Sequence, residues 1–185
     1  MNAKLYAILP ILLLAVSGCA NIGSPFLRLK PDYSTVPETE LRAAARAIEQ
    51  AVMQGDREPQ LGEWPGIVLD APEISQALRA RAARSHLIQE LLSAGHAYEQ
   101  KSGAIATLRT REYKRGTTRM QRDQHALLVM SENQNRWTLY ESIVKESKWA
   151  PKSLGAVQTV FFEARREMMA PGQQYEDADG GIAVR

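Results

Sequence analysis

Three histidines, His86, His96 and His125, are the side chains of this 185-residue chain best suited to proton transfer near neutral pH. His125 lies two residues after Asp123, and such a pair could act as a general acid–base dyad. No serine lies in a Gly-x-Ser-x-Gly turn, which would supply a strained nucleophile. His86 and His96 are ten residues apart and cannot form an i,i+4 ligand pair. We therefore expect no catalytic residues and no metal site, and a hydrolase that uses His125 is kept as an alternative.

Acidic residues near the C-terminus could bind a cation. Glu176, Asp177 and Asp179 lie close together, but the other oxygen ligands of a calcium loop are missing around them. Asp179-Gly180 is a turn signal, so residues 175–185 are predicted to form a small hairpin or an extended tail with solvated charge. No glycine-rich phosphate loop follows a plausible strand. The sequence therefore predicts no cofactor.

The only cysteine, Cys19, ends a segment that has the layout of a secretory signal. Lys4 supplies the positive charge, and the apolar run Leu5–Val16 is too short to span a bilayer. Ser17-Gly18 before the cysteine resembles a bacterial lipobox, in which the thiol is joined to diacylglycerol, the peptide is cut before the cysteine and the new amine is acylated. Residues 1–18 are thus predicted to be a lipoprotein signal peptide. Two or three acyl chains on Cys19 would anchor the protein stably in a membrane.

The residue after the cysteine indicates the location of the protein, and the overall charge limits the classes of partner. Ala20, rather than an aspartate, follows Cys19, which resembles the outer-membrane signal of Gram-negative lipoproteins. We expect the protein on the periplasmic face of the outer membrane. A formal net charge of +2 argues against nucleic acid as a partner. The absence of further cysteines excludes cysteine zinc sites and cysteine nucleophiles from the mature body.

Apolar residues at helical spacing predict a mainly α, compact domain of about four helices. The predicted helices cover residues 37–54, 71–94, 131–147 and 151–169. The third is placed at Ser131 because Ser131 and Gln134 fit a capping box. A minor β or extended element is expected within residues 104–130 and 175–184. The pattern does not decide between strand, helix and loop for residues 104–130.

The chain is predicted to have one anchored tether and one body. Residues 19–36 contain prolines, glycine and serines and are interpreted as a loose lipid-anchored tether. Residues 37–185 are interpreted as a single helical domain. Within the second helix, Arg79, Arg81 and Arg84 are expected on a solvated face.

Six basic residues occupy fourteen positions with Glu112 as the one acidic residue among them. They are Arg109, Arg111, Lys114, Arg115, Arg119 and Arg122. On a membrane-anchored domain, such a patch could contact anionic phosphate groups. A solvated, mobile loop is the alternative. Trp64, in a loop rich in proline and glycine, could either cover the edge of the core or serve as an exposed anchor for a partner.

The order of residues in the C-terminal half resembles a known family. The pattern consists of Glu132-Asn133, Arg136, Leu139-Tyr140, Ile143, Val157, Arg165, Gly172, Tyr175 and Asp179-Gly180. It is similar to the YdbL-like family of small secreted or lipoprotein domains of unknown function, over about residues 86–182. The chain departs from the family pattern at Ala150, where a serine or threonine cap is frequent, and at Gly181-Ile182, where an aromatic residue is frequent.

This resemblance implies an envelope protein without known catalytic activity. Family members are associated with AsmA-like proteins that bridge the two membranes and carry phospholipid, sometimes beside a small lipoprotein. The expected function is therefore assistance in envelope assembly or in such a bridge, with the bridge protein or the companion lipoprotein as partner. Arg136, Trp137 and Tyr140 are predicted to form a recognition or scaffold surface, and a core position for Trp137 and Tyr140 is the alternative. The rival functions are a structural lipoprotein that contacts anionic lipid or peptidoglycan through the basic stretch, and a periplasmic hydrolase.

Overall fold

A computed structural model describes residues 28–185 of the chain, so the predicted signal peptide and Cys19 lie outside the described residues. The described part is mainly helical and carries one small sheet. Its helices are α1 (Glu38–Met53), α2 (Pro72–Ser93), α3 (Arg111–Gly116), α4 (Arg119–Glu146) and α5 (Leu154–Met168), with a 3-10 turn at Pro151–Ser153. Its strands are β1 (Ala97–Glu99), β2 (Ile105–Thr107), β3 (Gln174–Glu176) and β4 (Ile182–Val184). The mainly α fold with a minor β element is confirmed.

The sheet joins two hairpins through one parallel contact. Its strand order is β2-β1-β3-β4, with antiparallel pairs at both ends and the parallel pair β1–β3 in the middle. Tyr98 lies opposite Ala106 on one side and opposite Gln174 on the other. In the turn between β3 and β4, Asp177 Oδ1 accepts the N–H groups of Asp179 and Gly181. The predicted C-terminal hairpin is confirmed, and the carboxylate of Asp177 serves the turn.

The first helix follows its sequence signals closely. Glu38 and Glu40 lie in the first turn of α1, where negative charge complements the helix dipole. Its apolar stripe from Leu41 to Val52 is buried. Gly55, with a φ of +74°, follows the C-terminal cap in the left-handed conformation that glycine adopts without a steric penalty. Helix α1 packs against α5, and α2 packs against α4.

Helix α4 begins twelve residues earlier than predicted. Thr118 and Gln121 form its capping box: Thr118 Oγ1 accepts the Gln121 N–H at 3.2 Å and Gln121 Oε1 accepts the Thr118 N–H at 2.8 Å. Ser131 lies inside the helix. Residues 119–128 contain no fully buried side chain. Since they do not pack into the core, their sequence lacks the broad apolar stripe that marks a buried helix face. Within residues 104–130 only 105–107 is strand, and most of the remainder is helix.

The segment before α1 lies on the body, which contradicts the loose linker predicted there. Asp32 forms an ion pair with Lys152 at 2.9 Å, and the hydroxyls of Thr35 and Ser153 are 3.0 Å apart. Val36 belongs to the apolar core. A Cβ atom on Gly155 would lie 2.6 Å from the Lys30 carbonyl oxygen, so this backbone approach requires glycine. The described part of the tether, residues 28–36, is therefore part of the folded unit.

The helices of residues 28–185 do not include one that is long and apolar enough to cross a bilayer.

The observed start of α4 predicts that alanine substitution lowers stability at Thr118 but not at Ser131, the N-cap expected from the sequence. Thr118→Ala removes the hydroxyl that accepts the Gln121 N–H, and it should lower the free energy of unfolding by about 1 kcal/mol. Ser131→Ala changes an exposed site inside the helix, where alanine has the higher propensity, and should leave stability within roughly 0.5 kcal/mol of the parent. Denaturant unfolding of both variants measures the difference. A larger loss at Ser131 would contradict the start of α4 at Arg119.

Candidate functional site

Six charged side chains form a closed ring in the centre of the body. Three are glutamates and three are arginines, and they alternate around the ring: Glu49, Arg81, Glu132, Arg136, Glu99 and Arg165. Each arginine binds two of the glutamates, and each glutamate binds two of the arginines. All six residues are buried. We call this set the ionic ring.

One half of the ionic ring joins the first, second and fourth helices. Arg81 on α2 grips Glu49 on α1 with two hydrogen bonds of 3.1 and 2.8 Å. Its Nε donates to Glu132 on α4 at 2.8 Å. Arg136, one turn further along α4, donates its Nε to the same Glu132 oxygen at 2.8 Å. The paired hydrogen bonds between Arg81 and Glu49 are stronger and more directional than a single bond.

The other half brings in the sheet and the last helix. Arg136 binds Glu99 on β1 through two bonds of 2.7 and 2.9 Å. Arg165 on α5 donates its Nε to Glu99 and its Nη1 to Glu49, each at 2.9 Å. The last bond closes the ring. Four helices and one strand therefore meet at a single set of neutralised charges.

The turn between β1 and β2 adds a carbonyl to the ring, and Tyr140 of α4 adds a phenol. The Gly103 oxygen accepts hydrogen bonds from Arg165 Nη2 at 2.9 Å and from Tyr140 Oη at 3.2 Å. Arg165 Nη1 donates to the same phenol oxygen at 2.9 Å. Gly103 has a φ of +84°, and a Cβ atom there would lie 2.9 Å from Tyr140 Cε2. Glycine is therefore needed at this position both for its backbone conformation and for space.

The charges of the ring stabilise one another. Burial alone would raise the pKa of each glutamate, since it removes water from the carboxylate. Attraction to the arginines and their hydrogen bonds outweigh burial and lower the pKa of Glu49 and Glu99. The same balance between burial and the attraction of Arg81 and Arg136 lowers the pKa of Glu132 to about 2. All three carboxylates are thus ionised at neutral pH.

A cavity beside the ring is too small for an organic substrate. Its volume is about 30 Å³, and ring residues line it together with Ser85, Gln89, Met168 and Met169. A water molecule needs roughly 10–15 Å³, whereas small-molecule pockets have roughly 300–1,000 Å³. Glu132 Oε2 is buried without a hydrogen bond, and Arg84 Nη1 lies 3.7 Å from it. The ring thus acts as an internal electrostatic scaffold.

Two residues of the predicted recognition surface lie in the interior. Arg136 is 1% exposed and Tyr140 is 0% exposed, so neither can contact a partner in this fold. Trp137 is partly buried and packs against the core. A recognition role is wrong for Arg136 and Tyr140 because their polar atoms are used by the ring, and the scaffold role fits both residues. The alternative, a core position for Tyr140, is correct.

The apolar stripes of the helices contain a signal for the ring. Arg81 was expected on a solvated face, yet it is 1% exposed. It lies at the spacing of the buried stripe of α2, seven residues after Ile74 and seven before Ile88. Glu49 lies four residues after Ala45 in α1, and Arg165 four after Phe161 in α5. Charges of opposite sign on the apolar stripes of several helices predict a buried network, since a lone buried charge is too costly.

The predicted basic stretch is helical and largely exposed. Arg109, Arg111, Lys114, Arg115 and Arg119 are exposed, whereas Arg122 is half-buried. Arg122 Nη1 donates to the carbonyl oxygens of Thr117 and Lys114, the latter at 3.3 Å. It therefore caps α3 and holds that short helix against the start of α4. The alternative of a mobile loop is not what the structure shows, because most of the stretch lies in α3 and at the start of α4.

His125 does not pair with Asp123. Its Nδ1 lies 3.1 Å from the hydroxyl of Tyr113 on α3, and the ring of His96 packs edge-on against that tyrosine at 4.9 Å. Burial, and then the neighbouring His96, lower the pKa of His125, which favours a neutral imidazole. The dyad considered from the sequence is therefore not formed. Across residues 28–185, no group of three or more His, Cys, Asp or Glu side chains is placed to hold a metal ion.

Trp64 covers the edge of the core. It is partly buried, packs against the main apolar cluster and forms a β-bridge with Ile67. The loop that carries it lines an open groove of about 720 Å³ together with Leu78 and Arg79 of α2. The interpretation of Trp64 as a cover for the core is confirmed by this packing.

Comparison with known proteins gives no match for this chain among family models, curated proteins or solved structures.

The buried ring predicts a large difference between two arginine variants. Arg81→Met leaves Glu49 and Glu132 with one arginine partner each and an uncompensated buried charge. It should lower the free energy of unfolding by about 3–5 kcal/mol. Arg46→Met removes an ion pair with Glu167 whose side chains are 51% and 48% exposed, and should cost less than about 1 kcal/mol. Denaturant unfolding of both variants provides the measurement, and equal losses would rule out the ring as a stabilising unit.

The lowered carboxylate pKa values also predict an acid transition. The stabilisation from a glutamate whose pKa is depressed in the folded state is complete above its unfolded pKa and is lost as the pH falls through the folded value. For Glu132 that window runs from 4.5 down to about 2. The free energy of unfolding should therefore decrease steeply between these pH values. Glu132→Gln should reduce the pH dependence, and an unchanged profile in that variant would contradict the assignment.

Proposed function

We propose that the protein is a lipoprotein anchored through Cys19 on the periplasmic face of the outer membrane, where it acts by binding rather than by catalysis. Its role is to assist envelope assembly or an AsmA-like bridge that carries phospholipid between the two membranes. The partner is then the bridge protein or a small companion lipoprotein.

The observation that carries this proposal is the N-terminal sequence. A basic residue, a short apolar run and Ser17-Gly18-Cys19 follow one another in the order that a bacterial lipobox requires. The contacts of residues 28–36 with the body add a geometric consequence. Eight residues lie between Cys19 and Arg28, and the nine Cα–Cα steps of a fully extended chain would span at most about 32 Å. A lipid on Cys19 would hold the body close to the bilayer.

The resemblance to the YdbL-like family supports the envelope role, and the structure gives its residues a physical meaning. Glu132, Arg136 and Arg165 belong to the ionic ring. Asn133 binds both the N–H and the carbonyl of Ile105, each at 2.9 Å, and so attaches α4 to β2. Residues that carry the resemblance are therefore residues that hold this fold together. A shared pattern of this kind supports a shared architecture. The surface that binds a partner is then formed by other, exposed residues.

A pulldown from solubilised envelopes tests the proposal. Lipidated protein and a Cys19→Ser variant are compared, with mass spectrometry of the N-terminal peptide as the first readout. We expect a peptide that begins at Cys19 and carries acyl chains in the parent but not in the variant. The parent should enrich an AsmA-like bridge protein or a small lipoprotein over the variant.

Two results would overturn the proposal. The first is a mature N-terminus elsewhere, or an unmodified Cys19, in protein isolated from cells. The second is an acylated protein that recovers only lipid or cell-wall material. Variants of Arg136 or Tyr140 are unsuitable for mapping the partner surface, because both side chains are buried and their loss would destabilise the body. Surface positions such as Gln50 and Glu63 are the appropriate sites for crosslinkers.

A further inference from the structure

The stretch from Arg109 to Met130, which we call the basic arm, is attached to the body through the buried residues Tyr113, Thr117 and Val129 and is otherwise mostly exposed. It contains α3 and the start of α4. The first ten residues of α4 contain no fully buried side chain, which corresponds to a helical length of about 15 Å. The arm is held in shape by Arg122 and by the bond between Tyr113 and His125. It is thus an ordered segment and not a loose loop.

The arm presents apolar side chains to solvent. Met120, Leu127 and Met130 are 69%, 61% and 67% exposed, and they are three of the four most exposed large apolar side chains in residues 28–185. Seven and three residues separate them along a helix of 3.6 residues per turn, so they lie on one side of α4. The buried residues Val129 and Glu132 lie on the opposite side. Single exposed apolar residues are ordinary, but an aligned set points to a contact surface.

The same arm concentrates unpaired positive charge. Arg109, Arg111, Lys114, Arg115 and Arg119 are exposed and take part in no ion pair within residues 28–185. Elsewhere on the surface, arginines such as Arg42 and Arg46 are paired with glutamates. The positive groups of the arm are therefore available to an external anion.

We infer that the basic arm docks on the surface of an anionic phospholipid bilayer. Guanidinium and ammonium groups would contact lipid phosphates, while Met120, Leu127 and Met130 would enter the boundary between headgroups and acyl chains. A phospholipid surface fits both features, whereas a peptidoglycan surface offers no apolar phase to these three side chains. The inference rests on the proposed anchor at Cys19, which raises the local concentration of the arm at the bilayer, so that even a weak contact is occupied.

The test uses full-length lipidated protein in phosphatidylcholine vesicles, with or without phosphatidylglycerol. Lipidation blocks the thiol of the only native cysteine, so a Leu127→Cys variant can be labelled at one position with an environment-sensitive fluorophore. We expect a blue shift, and quenching by lipid-bound nitroxide, only in vesicles that contain phosphatidylglycerol. A Val184→Cys variant, whose site is 63% exposed outside the arm, is the matched control and should show neither effect.

Charge variants separate the arm from general electrostatics. Arg111→Gln/Arg115→Gln/Arg119→Gln should lower the equilibrium for arm contact on the order of 100-fold. Arg57→Gln/Arg79→Gln/Lys145→Gln removes the same charge from exposed sites outside the arm and should leave the signal at position 127 unchanged.

Equal signals at positions 127 and 184 would overturn the inference, and so would a blue shift that the arm charge variant retains. A blue shift that appears without lipid and grows with protein concentration would indicate self-association and would also overturn it. Binding to isolated cell-wall sacculi with no response to phosphatidylglycerol would overturn it in favour of peptidoglycan. Failure of the proposed anchor is recognised separately, as an unmodified Cys19 by mass spectrometry. In that case both charge variants are compared in a Cys19→Ser background, where the cysteine at position 127 is again the only thiol, so the arm is still tested.

Discussion

The positions of the four long helices, α1, α2, α4 and α5, depend on the closed ring of three arginines and three glutamates. Five of its six links connect different elements: α1 with α2, α2 with α4, α4 with β1, β1 with α5, and α5 with α1. The sixth joins Glu132 and Arg136 within α4. A shift of any one helix by a turn would break two links and leave charges buried without partners. Apolar packing tolerates such shifts far better, because it depends on volume and little on direction.

Buried ion pairs are not in general a source of net stability, since desolvation offsets much of their attraction. Their consequence is specificity: a partly formed ring is worse than none, so alternative packings of the same helices are disfavoured. Gly103 shows how tightly the surroundings are adapted. Its carbonyl completes the hydrogen bonds of Arg165 and Tyr140, and its lack of a side chain lets the phenol ring approach. The turn between β1 and β2 and the ring therefore form together.

Local sequence signals predicted much of the fold, and long-range ones were harder to detect. The start of α1, its buried stripe and the C-terminal hairpin follow from dipole, spacing and turn chemistry that act within a few residues. The start of α4 was misplaced because its first turns lie outside the core and show no apolar stripe. Arg81 was assigned to solvent because arginine is usually exposed. Only the joint pattern, in which charges of opposite sign occupy core positions of several helices, identifies it as buried, and no single helix shows that pattern.

The ring also affects the electrostatic surface of the protein, because it takes six charged side chains into the interior. Its three positive and three negative charges cancel, so the interior contributes little to the external field. The net charge of +2 is small, but its distribution is uneven, because exposed cations without partners are concentrated in the basic arm. Residues such as Arg136, which the sequence suggests for recognition, are buried and use their polar atoms within the ring. The basic arm contributes no residue to the ring, so its exposed charged and apolar side chains can be substituted without breaking a ring contact.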